Sequence, residues 1–94
     1  MASPSKRKGT RAEAEFARLV GGKRVPLSGA LEELPGDVEW PGVGTGEVKR
    51  RKDGFAQLYG WLADNDFLAL RRDRDEWLVV LRAKDLQRLL DDSD

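Results

Sequence analysis

The stretch "PGDVEWPGVGTGEVKRRK", residues 35–52, constrains the fold of this chain more than any other feature. Two short runs with the composition and alternation of strands, residues 37–40 and 47–51, lie on either side of a turn rich in Gly and Pro. The turn, residues 41–46, contains three glycines and one proline. A loop of this kind between two such runs is typical of an antiparallel β-hairpin. The sequence therefore predicts a hairpin whose strands carry acidic and basic side chains.

The remaining segments predict a mixed arrangement of helices and strands. Thr10 and Glu13 have the spacing of a capping box, so we predict that the first helix begins at Thr10. The other predicted elements are a short strand at residues 23–27, a helical turn at 31–34, a second helix at 55–65, strands at 67–72 and 76–82, and a third helix at 83–90. This order predicts a mixed α/β fold with a central five-stranded sheet flanked by helices.

Composition excludes several kinds of active site. The 94 residues include no His and no Cys, so one chain cannot form a Ser-His-Asp triad, a Cys-His nucleophile or a zinc site of Cys and His ligands. Any catalysis must use carboxylates, lysines, hydroxyls or a metal ion bound by oxygen ligands. Oxygen ligands favour Mg²⁺, for which Mn²⁺ is expected to substitute.

The predicted hairpin brings suitable groups together. Alternation along a strand directs Glu47 and Lys49 to one face and Val48 to the other, where it can join the core. If Asp37 lies across the hairpin on the first face, two carboxylates and the Val48 backbone carbonyl can converge on one Mg²⁺ ion. Lys49 would then stand close to the water that hydrolyses a phosphodiester.

These residues resemble a known nuclease signature. "PGDV" followed by "EVK", with nine residues between Asp37 and Glu47, is similar to the PD-(D/E)xK motif with a Gly inserted between the Pro and the Asp. "KGTRAEAEF", residues 8–16, resembles the opening helix of the archaeal-type Holliday junction resolvases, and "LSGA" resembles the loop that follows it. The resemblance covers roughly residues 8–82, although Ala14 stands where the family often has Arg.

The resemblance implies a restriction-endonuclease-like fold and a role for each matching residue. Asp37 and Glu47 are expected to be metal ligands with the Val48 carbonyl, Lys49 the catalytic lysine, and Glu13 a further catalytic carboxylate that reaches the metal through water. The implied activity is Mg²⁺-dependent resolution of four-way DNA junctions by paired nicks, carried out by a homodimer. Ser28 is expected to lie near the DNA.

Basic residues are concentrated in the first half of the chain. Residues 1–52 contain 11 Lys and Arg against 7 Asp and Glu, whereas residues 53–94 contain 6 against 10. Such asymmetry indicates a face that binds polyanions, although charged runs are more often simply solvated. The residues predicted to contact DNA are Lys6, Arg7, Lys8, Arg11, Arg24, Ser28, Arg50, Arg51 and Lys52.

Other interpretations of these residues remain open. Glu13 can be only the capping partner of Thr10, and Glu47 with Lys49 can be an exposed pair of charges on a hairpin. The alternative functions are cleavage of flaps, nicks or other branched DNA, and DNA binding without catalysis by a module of the same fold.

The length indicates one domain, residues 1–94, with a basic N-terminal arm at 1–9 and an acidic tail at 91–94. Trp61 is predicted on the outer face of the second helix, which favours burial in a dimer. The run "LVVL", residues 78–81, predicts a strand covered on both faces. No apolar run is long enough to span a bilayer, so we expect no membrane partner and a cytoplasmic protein, of a prokaryote or of a phage host.

Overall fold

The structure is a computed structural model that describes residues 4–25 and 37–93, with side chains from residue 8 onward. Ser28 and the helical turn predicted at residues 31–34 lie outside the described residues. The chain divides into two compact units, Met1–Arg50 and Arg51–Asp94, which we describe separately.

The first helix, α1, spans Pro4–Val20 and is the longest element. It begins six residues before Thr10, so the predicted capping box is wrong and Thr10 lies inside the helix. Proline is well tolerated in the first turn of a helix, and the Lys and Arg residues that follow it are good helix formers. Residues 4–9 of the predicted basic arm are therefore helical.

The first unit also contains a three-stranded antiparallel sheet in the order β1-β2-β3. Its strands are β1 (Lys23–Arg24), β2 (Val38–Trp40) and β3 (Gly44–Gly46). The predicted hairpin is confirmed, but its second strand lies at residues 44–46 and not at 47–51. The turn is shorter than predicted because Gly42 adopts a φ of 89°, which reverses the chain early and fixes the register.

The core of the first unit lies between α1 and β2. In the part of this unit that the structure describes, the buried side chains are Ala12, Ala17, Val20 and Val38. The ring of Phe16 meets that of Trp40 edge to face, with centroids 5.4 Å apart. Small residues on α1 allow the helix to lie close to the sheet, and this contact fixes which face of β2 is turned inward.

The second unit contains a β-hairpin and two helices. Its elements are α2 (Ala56–Leu62), β4 (Leu68–Leu70), β5 (Leu78–Val80) and α3 (Ala83–Asp92). The predicted β4–β5 hairpin is confirmed, with Leu68 opposite Val80. Leu78 and Val79 are both more than half exposed, so this strand is not covered on both faces within the single chain. The two strands form a sheet of their own.

The described residues form three helices and two small antiparallel sheets, so the mixed α/β class is confirmed. No helix among the described residues has the length and apolar character needed to cross a membrane.

Candidate active site

Asp37 occupies the point where the ladder between β2 and β3 ends. The last regular pair is Val38 with Gly46. Beyond it, the backbone N–H of Asp37 donates to the Gly46 carbonyl at 2.7 Å, and the Asp37 carbonyl accepts from the Val25 N–H at 2.9 Å. Hydrogen bonds to chain segments on both sides thus hold the Asp37 backbone in place.

The carboxylate of Asp37 contacts the segment that follows β3. The Val48 N–H donates to Asp37 Oδ2 at 2.9 Å in a partly buried position. The side chain thereby takes the place of the strand carbonyl that a longer ladder would have offered to this N–H. This bond places the Asp37 carboxylate of "PGDV" against the backbone of Val48, the middle residue of "EVK".

Glu47 and Lys49 flank that contact and point into solvent. Lys49 Nζ lies 3.6 Å from Glu47 Oε2, with side-chain exposures of 56% and 66%. Val48 is half-buried and lines a small cavity of about 200 Å³ with Phe16 and Trp40. Val48 is turned inward between two outward charged residues, as predicted, but the strand expected to cause this alternation ends at Gly46. An exposed ion pair of this kind contributes little stability.

Glu13 lies in α1 and is engaged by a different partner. Both Nε and Nη2 of Arg24 lie 3.2 Å from Glu13 Oε1. Arg24 is in β1, opposite Val38, so this pair links α1 to the sheet. Arg24, predicted to contact DNA, thus neutralises a predicted catalytic carboxylate.

The structure brings together some of the predicted site residues and not others. Asp37 meets the segment 47–49, whereas Glu13 is paired with Arg24. Within residues 4–25 and 37–93, no group of three acidic side chains is arranged to hold a metal ion. The three predicted carboxylates, Glu13, Asp37 and Glu47, therefore do not form one cluster in this structure.

Apart from Arg24 in β1 and Ser28 outside the described residues, the predicted DNA-binding residues lie in two segments. One is on α1 and the other is residues 50–52, where the first unit ends and the second begins. Arg11 is exposed and Lys8 half-buried on α1, and Arg50, Arg51 and Lys52 are exposed immediately after Lys49. Lys6 and Arg7 belong to the first turns of α1. The second basic segment directly continues the candidate site along the chain.

Sequence reasoning missed one pair of residues with binding chemistry. The guanidinium carbon of Arg71 lies 5.3 Å from the ring centroid of Trp77 in the second unit. The signal was present as alternation in the two strands, but the pairing becomes visible only when the hairpin register is known.

Comparison of the chain with protein-family models, curated proteins and solved structures gave no match. The residues themselves must therefore support any proposal about function. Two carboxylates and a backbone carbonyl at residues 37, 47 and 48 are oxygen donors of the type that Mg²⁺ accepts, and Mg²⁺ requires only one or two protein carboxylates. The donors therefore match this metal in chemical type.

Proposed function

We propose that this protein is a metal-dependent endonuclease that cuts branched DNA, and four-way junctions in particular. The observation that carries the proposal is the 2.9 Å hydrogen bond from the Val48 N–H to the Asp37 carboxylate. It joins the two halves of the nuclease signature, which are nine residues apart in the sequence. A carboxylate, a second carboxylate and a lysine on adjacent segments are what phosphodiester hydrolysis requires in a chain without His or Cys.

Asp37, Glu47 and the Val48 carbonyl would hold Mg²⁺, with Glu13 acting through a water, and Mn²⁺ would substitute. When bound, the ion supplies Lewis-acid stabilisation and lowers the pKa of a coordinated water. The backbone hydrogen bonds at Asp37 keep its carboxylate oriented without further ordering.

Lys49 supplies the positive charge at the reacting phosphate. Its ammonium can orient the attacking water and stabilise the charge that develops on the phosphate oxygens. The ion pair with Glu47 holds Lys49 beside one of the two carboxylates. Because both side chains are largely exposed, a phosphate can approach them directly.

Phosphate contacts by the two basic segments would supply most of the affinity. Such contacts fix the path of the DNA without reading bases, as expected for an enzyme that recognises branch geometry. Removing three positive charges, at Arg50, Arg51 and Lys52, should reduce the slope of log affinity against log salt by about 2 to 3.

The proposal includes a restriction-endonuclease-like arrangement of the elements around a five-stranded sheet, and a homodimer acting in the cytoplasm. A four-way junction has approximate two-fold symmetry, so one site per subunit would allow paired nicks. Trp61 is 53% exposed on α2, in agreement with a contact surface on this helix. Light scattering at micromolar concentration should give about twice the chain mass, as expected for an isologous dimer.

Nicking assays on four-way, flap and linear DNA, with Mg²⁺ and with EDTA, test the activity. The expected result is Mg²⁺-dependent cleavage of the four-way junction, lost in Asp37→Asn and retained in the matched control Asp91→Asn. Preferred cleavage of the flap would indicate that the enzyme acts mainly on other branched DNA and not on four-way junctions. Cleavage unaffected by Asp37→Asn would refute it.

A DNA-binding module without catalysis is the second candidate. It is favoured by the Glu13–Arg24 ion pair, which leaves Glu13 engaged away from the other two carboxylates. This candidate predicts binding of branched DNA in EDTA and no cleavage in either Mg²⁺ or Mn²⁺.

A further inference from the structure

The hairpin of the second unit has two chemically different faces. Leu68, Leu70 and Val80 are half-buried on one face, which also carries the exposed Leu78. The pairing of Ala69 with Val79 places both of these exposed residues on the opposite face. We call this opposite face, with the residues that continue its alternation, the outer face. The outer face consists of Phe67, Ala69, Arg71, Trp77 and Val79.

The outer face exposes two large aromatic rings. Trp77 is 65% exposed and Phe67 is 57% exposed. The Arg71 guanidinium lies over the Trp77 ring, and continuation of the strand register sets these two residues directly opposite each other. A cation over an indole is favourable and also holds the ring in one orientation. The outer face thus has Phe67 at one end and the Arg71–Trp77 pair at the other, with Ala69 and Val79 between them.

The turn of the hairpin contains an acid that is already paired within the turn. Asp75, in the turn, accepts a 2.6 Å hydrogen bond from Arg72 Nε, and this bond is the main reason that the pKa of Asp75 lies below its usual value. A second bond from the Glu76 N–H contributes to the same shift. Among the five residues of the outer face, Arg71 carries the one charge.

This charge pattern distinguishes between possible occupants of the face. A second copy of the same surface would offer Arg71 no carboxylate from these five residues. Single-stranded nucleic acid offers the complementary chemistry, with bases that stack on aromatic rings and phosphates that attract a guanidinium.

We infer that the outer face binds unpaired bases of DNA, with Trp77 and Phe67 as stacking surfaces and Arg71 as the phosphate or base contact. Stacking of this kind tolerates any base because every base has a π face. The inference extends the proposed function, on which it rests for the identity of the ligand as DNA. It adds a contact to single-stranded DNA beside the branch, separate from the cleavage residues.

Binding of fluorescein-labelled oligothymidine, measured by anisotropy in EDTA, tests this inference. Loss of one stacking aromatic should weaken binding about tenfold, so we expect this loss for Trp77→Ala and about threefold weakening for Trp77→Phe. Arg71→Ala should also weaken binding. The matched control is Tyr59→Ala, which removes an exposed aromatic residue on α2 and should leave the affinity unchanged.

Folding and oligomeric state are followed for each variant. Circular dichroism should show that Trp77→Ala remains folded, and light scattering should show an unchanged mass. Equal affinity of Trp77→Ala and the parent chain, or an equal loss in Tyr59→Ala, would overturn the inference. A fall in mass for Trp77→Ala would also overturn it, because the face would then be a subunit contact.

The cleavage variants separate this inference from the proposed function. Asp37→Asn should bind oligothymidine as tightly as the parent chain even if it cuts no junction. If the parent chain binds no oligothymidine but cleaves a four-way junction, the stacking inference fails and the nuclease proposal stands.

Discussion

The amide of Val48 donates a 2.9 Å hydrogen bond to the carboxylate of Asp37, so one side chain both completes the end of a β-ladder and stands in the candidate site. Substitution of Asp37 by Ala would be harmful whether the residue has a structural role or a catalytic role. The two roles differ in what they require, because an N–H needs only an acceptor oxygen, whereas a metal ion needs charge.

Asp37→Asn should separate these roles. The amide oxygen can still accept from the Val48 N–H, so we expect the free energy of unfolding to change by less than about 1 kcal/mol. Cleavage in Mg²⁺ should fall to background, while affinity for a four-way junction stays equal or rises because a negative charge has been removed. Urea unfolding and single-turnover cleavage on the same preparation measure both effects.

Asp37→Ala should lose both stability and activity. Without the acceptor, the partly buried Val48 N–H is left unsatisfied, at a cost of about 1 to 2 kcal/mol. If Asp37→Asn is as stable as the parent chain but does not cleave, whereas Asp37→Ala loses both properties, Asp37 has both roles. Full cleavage by the Asn variant would show that Asp37 serves only the fold.

Lys49→Ala should affect catalysis and leave stability nearly unchanged. The Lys49–Glu47 pair is exposed, so its loss should cost less than about 1 kcal/mol. Loss of the ammonium should reduce the cleavage rate about 100- to 1000-fold, by analogy with removal of one preorganised donor. Lys84→Ala, an exposed lysine on α3, is the matched control and should cleave normally. A Lys49→Ala enzyme with the parent rate would remove Lys49 from the mechanism.

The sequence predicted the hairpin, the inward Val48 and the outward Glu47 and Lys49 because these features follow from local rules. Alternation decides which side chains share a face, and Gly with Pro marks the turn. The position of the second strand could not be predicted, because the left-handed conformation of Gly42 decides how early the chain reverses.

The partner of Glu13 could not be predicted for a different reason. Helical periodicity predicts which side of α1 carries Glu13. It does not predict that β1 brings Arg24 within 3.2 Å of the Glu13 carboxylate. Likewise, the apolar run at residues 78–81 suggested a covered strand, yet Leu78 and Val79 are exposed in a two-stranded sheet. Contacts between elements distant in sequence depend on packing that a local pattern does not contain.

Gly22 should be intolerant of any side chain. A Cβ at this position would lie 1.9 Å from the Glu39 carbonyl oxygen and 3.2 Å from Pro41 Cδ, so the connection from α1 to β1 would have to move away from β2. We expect Gly22→Ala to lower the free energy of unfolding by about 2 to 3 kcal/mol. Gly46→Ala is the matched control, because a Cβ there meets no heavy atom within 4 Å. Equal effects of the two substitutions would contradict the close approach at Gly22.

Arg82 should stabilise the second unit through hydrogen bonds to backbone carbonyls at the end of α2. Its Nη1 donates to the Asn65 carbonyl at 3.0 Å and its Nη2 donates to the Ala63 carbonyl, just beyond the C-terminus of α2. Carbonyls at a helix end need donors, and a guanidinium supplies two in a fixed geometry. Because Arg82 also precedes α3, these bonds join the end of one helix to the start of the next.

Arg82→Ala should therefore destabilise the second unit by about 1 to 2 kcal/mol, a value reduced for the partial exposure of this side chain. Arg82→Lys should recover part of the loss, since one ammonium reaches the carbonyls less well than a fork of two donors. The matched control is Arg88→Ala, which removes an exposed arginine whose partner is Asp85 and should cost less than about 1 kcal/mol. Amide exchange at the end of α2 should accelerate in Arg82→Ala and stay unchanged in Arg88→Ala, and equal protection in both would show that α2 ends without help from Arg82.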